Sequence, residues 1–115
     1  MKGMINPEEV RKFALSLPES EEKGHFGTPD FRTRNKIFCT LRADEKTAVL
    51  KLPLEDQEAV TTLQPEVFSL AGWSHQGWTK VDLTKVDEGE FKALMVLAWK
   101  KIATKRAIKA YELKS

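Results

Sequence analysis

The chain has a single cysteine, Cys39, among its 115 residues. No internal disulfide can form, so the fold must hold by packing, and a reducing compartment is expected. Histidine is scarce too. His25 and His75 lie far apart and far from Cys39, with no metal-ligand spacing, so neither a metal nor a cofactor is expected. No apolar run approaches the ~20 residues of a membrane span. The first ten residues, Met1 to Val10, hold no apolar core of the secretory type. A cytoplasmic protein with no membrane role is therefore expected. Gly24 and Gly27 lead into no convincing helix, which argues against a phosphate-cradling loop. Ser74 and His75 are neighbours in sequence, and adjacent side chains rarely face each other as a nucleophile and its base must. Cys39 alternates with Ile37 and Leu41, so it reads as a small buried hydrophobe, and its strand carries no partner base. No catalytic residue is identified, and the chain is not expected to be an enzyme.

What the chain does have is an ordinary globular composition, 41% hydrophobic and 31% charged. Its length suits one domain, residues 1–115, expected to be a monomer. Asn6 is a good N-cap and Pro7 suits the first helical position. Val10, Phe13, Ala14 and Leu17 then mark one helical face, and Pro18 its exit. Residues 20–52 read as strands in a meander, with a loop or irregular edge from His25 to Asp30. Pro53 opens a short helix from Leu54 to Leu63, and Pro65 closes it. Residues 66–76 read as a loop and Gly77 to Leu83 as a strand. A long helix begins near Asp87. Its apolar stripe, Phe91, Leu94, Met95, Ala98 and Ile102, would turn cationic at Lys105. A core face cannot do that without a desolvation cost, so a break near Ala103 is expected, with Thr104 capping a new short helix. The fold class is α+β: a single two-layer domain with an antiparallel sheet of about five strands, packed against an N-terminal and a long C-terminal helix.

The net charge is only +2, but it is unevenly spread. Residues 24–52 carry a net of +3, residues 53–98 a net of −5 and residues 99–115 a net of +5. Such asymmetry speaks to partners. Arg32, Arg34 and Lys36 stand at i, i+2 and i+4 of an extended segment, which would place all three on one face, as a ribbon that follows phosphates. Lys105, Arg106 and Lys109, with Lys100 and Lys101, form the second block. Plainer readings compete, since charges guard strand edges and cations favour helix C-termini. Trp78 shares a strand face with Lys80 and Asp82, and Trp73 lies in a loop beside Gly72. An exposed indole near cations can stack on a base, although an indole capping the core edge is the commoner case. No helix is rich in the Arg, Asn and Gln that read base edges, so any DNA binding should be largely nonspecific.

The run His25-Phe26-Gly27-Thr28-Pro29-Asp30-Phe31-Arg32, followed by Asn35-Lys36-Ile37-Phe38, resembles the MmcQ/YjbR-like proteins. So do Gly77-Trp78-Thr79-Lys80-Val81-Asp82-Leu83 and the later Ala98-Trp99-Lys100-Lys101-Ile102-Ala103-Thr104-Lys105-Arg106. The resemblance covers about residues 6 to 111 and lies in the order and spacing of these segments. It implies a small bacterial domain with an antiparallel sheet against helices, similar in plan to the frataxin-like fold, and DNA binding through a double-wing arrangement. DNA is thus the expected partner, held by Arg32, Arg34, Lys36, Lys105, Arg106 and Lys109. The alternative is a small-ligand or protein-interaction module, with His25, Phe31, Lys36 and Trp78 lining a concave site for an anion. Basic blocks that share one surface would favour the first. Blocks on opposite sides, with aromatics around a closed cavity, would favour the second.

Overall fold

A computed structural model describes residues 5–25, 28–72 and 74–114, without the side chains of His25 and Ser74. Twelve elements follow one another: helix α1 (Pro7–Ser16), strands β1 (Glu21–His25), β2 (Thr28–Thr33) and β3 (Lys36–Arg42), a 3-10 turn (Ala43–Glu45), β4 (Thr47–Lys51), α2 (Leu54–Leu63), β5 (Phe68–Leu70), a second 3-10 turn (Ser74–Gln76), β6 (Trp78–Asp82), α3 (Glu88–Lys100) and α4 (Lys105–Lys114). The six strands form one sheet in the order β1-β2-β3-β4-β6-β5, every neighbouring pair antiparallel. The α+β class stands, with six strands instead of about five. The extra one, β5, lies in the segment that reads as a loop. Three residues bounded by turns carry too little alternation to be recognised without their partner, β6. The expected irregular edge from His25 to Asp30 is in part regular. His25 closes β1, and Thr28 onward belongs to β2.

The helix boundaries follow from local chemistry. The Asn6 carboxamide accepts from the Glu9 N–H at 2.8 Å, and the Glu9 carboxylate accepts from the Asn6 N–H at 3.1 Å, a reciprocal cap. Asp87 caps α3 by accepting from the Glu90 N–H at 3.0 Å. The helix after α3 breaks where the stripe turns cationic. The Thr104 hydroxyl accepts from the Ala107 N–H at 3.0 Å and starts α4.

One side of the sheet is the core. Phe31, Cys39, Leu41, Ala48, Leu50, Phe68 and Val81 point into it and are buried beneath α1, α2 and α3. A bulge opposite Phe31 and Arg32 turns both Phe38 and Cys39 inward and Ile37 outward. The simple alternation of Ile37, Cys39 and Leu41 is therefore broken at its first member. The other helices lie on the same side. Gln64, capping α2, donates to the Glu90 carboxylate of α3 at 2.8 Å, and Tyr111 of α4 packs against Trp99 of α3. The opposite sheet face carries Arg32, Ile37, Thr40, Arg42, Val49, Lys51, Trp78 and Lys80, all at least partly exposed.

Gly77 lets the strands approach at the end of that face. Its φ is +97°, and its carbonyl accepts from the Leu52 N–H at 2.9 Å. A Cβ there would collide with the Leu52 carbonyl oxygen. Gly77→Ala is expected to cost at least the ~1–3 kcal/mol of a forced backbone conformation, seen as a lower urea midpoint with an unchanged m-value.

Candidate nucleic-acid interface

The β2–β3 hairpin turns in two residues, Arg34 and Asn35, with φ of 55° and 62°. Left-handed conformation at both central positions matches the twist of the flanking strands. Asn35 tolerates it, whereas arginine is unusual there. The turn also corrects the expected ribbon. Thr33 pairs with Lys36, so alternation stops between them. Arg32 projects from the open face, Arg34 from the turn, and Lys36 from the side of the sheet on which Thr33 lies. The three do not share one face.

The turn brings the two basic blocks together. Arg34 Nη1 donates to the Ile102 carbonyl at 3.5 Å, across 68 residues of chain. Ile102 lies in the α3–α4 junction, between Lys101 and Lys105. Lys101 Nζ reaches the Leu52 carbonyl at 3.4 Å, at the end of β4. Burial first, and then the neighbouring Lys51 ammonium, lower the Lys101 pKa below the usual lysine value. An anion between the two ammonium groups would relieve that repulsion. Lys51 in turn lies 5.5 Å from the centre of the Trp78 ring. Arg34, Lys101, Lys51 and Trp78 thus form a continuous arc at one corner of the sheet.

The expected cations differ in how free they are. Arg32 is held by Asp30 through two bonds, of 2.7 and 3.2 Å, and that hydrogen bonding raises its pKa. Arg106 pairs with Glu19 at 3.0 Å. Both charges are already matched, which removes them from the front rank of phosphate ligands. Lys36, Lys105 and Lys109 are exposed and make no ion pair among the described residues. Lys51 was missing from the expected basic blocks, and Lys101, part of the second block, was not among the expected phosphate ligands. They stand 50 residues apart, and only the sheet end brings them together. The one signal available was the position of Lys51 at a strand terminus.

The aromatic set is corrected as well. Phe31 has no exposed surface, so it can neither stack on a ligand nor line an open site. It pairs with Cys39 on the core side, where a phenyl ring is most stable. His25 pairs with Thr28, and its side chain lies outside the described residues, as does Trp73. Trp78 is half-buried on the open face, beside a depression of about 340 Å³ that Ile37, Thr40, Arg42, Val49, Ala71 and Gly72 also line. Cys39 is fully buried, and desolvation pushes its thiol pKa far up, so it offers no thiolate. Among the described residues no group of three His, Cys, Asp or Glu is placed to hold a metal, and no helix is long and apolar enough to cross a membrane.

Comparison with known proteins agrees with the fold. No curated protein matches the chain. The crystal structure of Deinococcus radiodurans protein DR2400, with domain DUF419, superposes with a TM-score of 0.77 at 20% sequence identity. The match covers 96% of this chain and 91% of that one. At that identity the likeness establishes the fold alone. A family model described as YjbR matches residues 15–101, a span that runs from α1 through the whole sheet to the end of α3. The chain belongs to the YjbR family.

Proposed function

We propose that this protein binds nucleic acid through phosphate contacts, largely without reading base sequence. The observation that carries the reading is the contact of Arg34 with the Ile102 carbonyl, which joins the hairpin turn to the start of the C-terminal basic block. Arg34, Lys36, Lys51, Lys101 and Lys105 then offer cations along one corner, and each phosphate they neutralise releases a counterion. Arg34 holds a conformation that costs a non-glycine residue about 1–3 kcal/mol, and strain of that kind at an exposed turn accords with a binding role. The sequence of α4, KRAIKAYELK, has neither Asn nor Gln for base edges, in line with binding that does not depend on sequence. The alternative, an anion site walled by aromatics, loses Phe31 to the core.

The test is fluorescence anisotropy of a labelled duplex and a labelled single strand, at low and near-physiological salt. The expected result is binding whose logarithm falls linearly with log salt, the slope reporting the number of phosphates held. An unchanged signal at low salt with both probes would overturn the reading.

Glu19 supplies a variant of opposite sign. Its carboxylate neutralises Arg106 and accepts from the Thr104 hydroxyl at 3.1 Å. Glu19→Gln removes the charge and leaves Arg106 free. Affinity for DNA is expected to rise by a few-fold, with stability changed by no more than about 1 kcal/mol, as befits an exposed pair. Equal affinity would place Arg106 outside the footprint.

A further inference from the structure

We propose that the open sheet face takes a single strand, with one unpaired base laid on the Trp78 ring; this rests on the nucleic-acid reading above and specifies its substrate. The side chains of that face alternate with those of the core. Ile37, Thr40 and Val49 are half-buried there, around the depression of about 340 Å³ that Trp78 closes on one side. That volume lies near the lower end of small-ligand sites, suited to a flat heterocycle. It cannot admit a duplex, whose bases are already stacked on one another and present only their edges.

Charge complementarity selects a nucleotide strand among flat ligands. Lys51 stands over the ring, Arg42 lines the depression, and Lys80 follows Trp78 on the same face. Two acids of this face are paired with cations, Asp30 with Arg32 and Glu21 with Lys23 at 3.3 Å, while Asp82, which accepts from the Thr84 hydroxyl at 2.6 Å, stands at the opposite end of β6 from Trp78. Lys101 bonds the Leu52 carbonyl next to Lys51, so a backbone running from the Arg34 corner passes Lys101 and Lys51 on its way to the Trp78 ring. The contact of an exposed ammonium with an indole is weaker than base stacking on the same ring. Lys51 can therefore yield the ring to a base and move to the adjoining phosphate.

Three variants test this against labelled oligo-dT of about twelve nucleotides, within the range such grooves cover, and against a duplex of equal length. Trp78→Ala is expected to weaken oligo-dT binding by about tenfold, the loss of one stacked base, with the duplex changed less than about twofold. Trp78→Phe keeps a π-face and is expected to retain most of the affinity. Gly72→Glu places a carboxylate at the rim, and its Cβ meets nothing within 4 Å, so the fold is undisturbed. It is expected to lower oligo-dT affinity about fivefold or more, and by more than it lowers duplex affinity. If Trp78→Ala does not fold, Gly72→Glu decides the matter. Oligo-dT affinity unchanged in folded Trp78→Ala, or in Gly72→Glu where Trp78→Ala does not fold, overturns the stacking site and leaves phosphate binding standing. A wild-type protein that binds neither probe at low salt overturns both.

Discussion

Arg34→Gly combined with Lys105→Glu is expected to weaken nucleic-acid binding by about tenfold or more at roughly 50 mM salt, while the protein becomes no less stable. The two halves of this outcome have separate causes. Arg34 sits at φ 55°, where glycine carries no steric penalty, so its replacement relieves strain that offsets the loss of its long, exposed bond to the Ile102 carbonyl. Lys105 is the first residue of α4, and a glutamate there complements the positive end of the helix dipole. Stability should thus hold or rise by about 0.5–1 kcal/mol, read as the urea midpoint. Binding should move the other way. Two cations leave the corner and one anion enters it, so the salt slope should flatten by about 1.4 on a single strand, or about 1.8 on a duplex. A variant that is more stable and binds less well cannot be explained as a folding defect. Full affinity with an unchanged slope would remove the hairpin turn and the α4 start from the interface.

Trp99→Ala is expected to be the most damaging single change to the fold. The Trp99 ring has no exposed surface. Its indole N–H donates to the Pro18 carbonyl at 3.2 Å, fixing the exit of α1 to α3. Its ring centre lies 5.6 Å from that of Tyr111, tilted at 56°, which docks α4. One side chain thus ties three helices together. Truncation should cost about 3–5 kcal/mol, a large share of the ~5–15 kcal/mol that holds a domain of this size. The melting temperature should fall by roughly 10–25 °C. Trp99→Phe keeps most of the packing and loses the hydrogen bond, so its cost should be less than half as large. A loss of under ~1 kcal/mol in the alanine variant would mean that α1 and α4 are held by other contacts. The position also bears on function, because α4 starts beside the Arg34 corner. Loosening α4 should therefore flatten the salt slope as well as lower the melting temperature.

Much of this protein is local and could be read along the chain. The caps at Asn6 and Asp87, the α2 limits at Pro53 and Pro65, and the break at Thr104 are each set by residues within four positions of the boundary. The outward face of β6, with Trp78, Lys80 and Asp82, follows from period-two alternation. Family membership and the α+β class followed from the order of such segments. Alternation failed where a partner strand altered it. The bulge turned Phe38 inward and Ile37 outward, and β5 exists because β6 offers it a ladder.

The candidate site divides along the same line. Two basic blocks, a lysine on the face of Trp78 and a scarcity of base-edge readers are all visible along the chain. Which charges are free depends on the folded arrangement. Asp30 takes Arg32, Glu19 takes Arg106, and Lys51 and Lys101 come together across 50 residues. Electrostatic interactions act through space over a few ångströms, while sequence patterns record neighbours along the chain. Charge matching and convergence were therefore settled only once the sheet had closed against its helices.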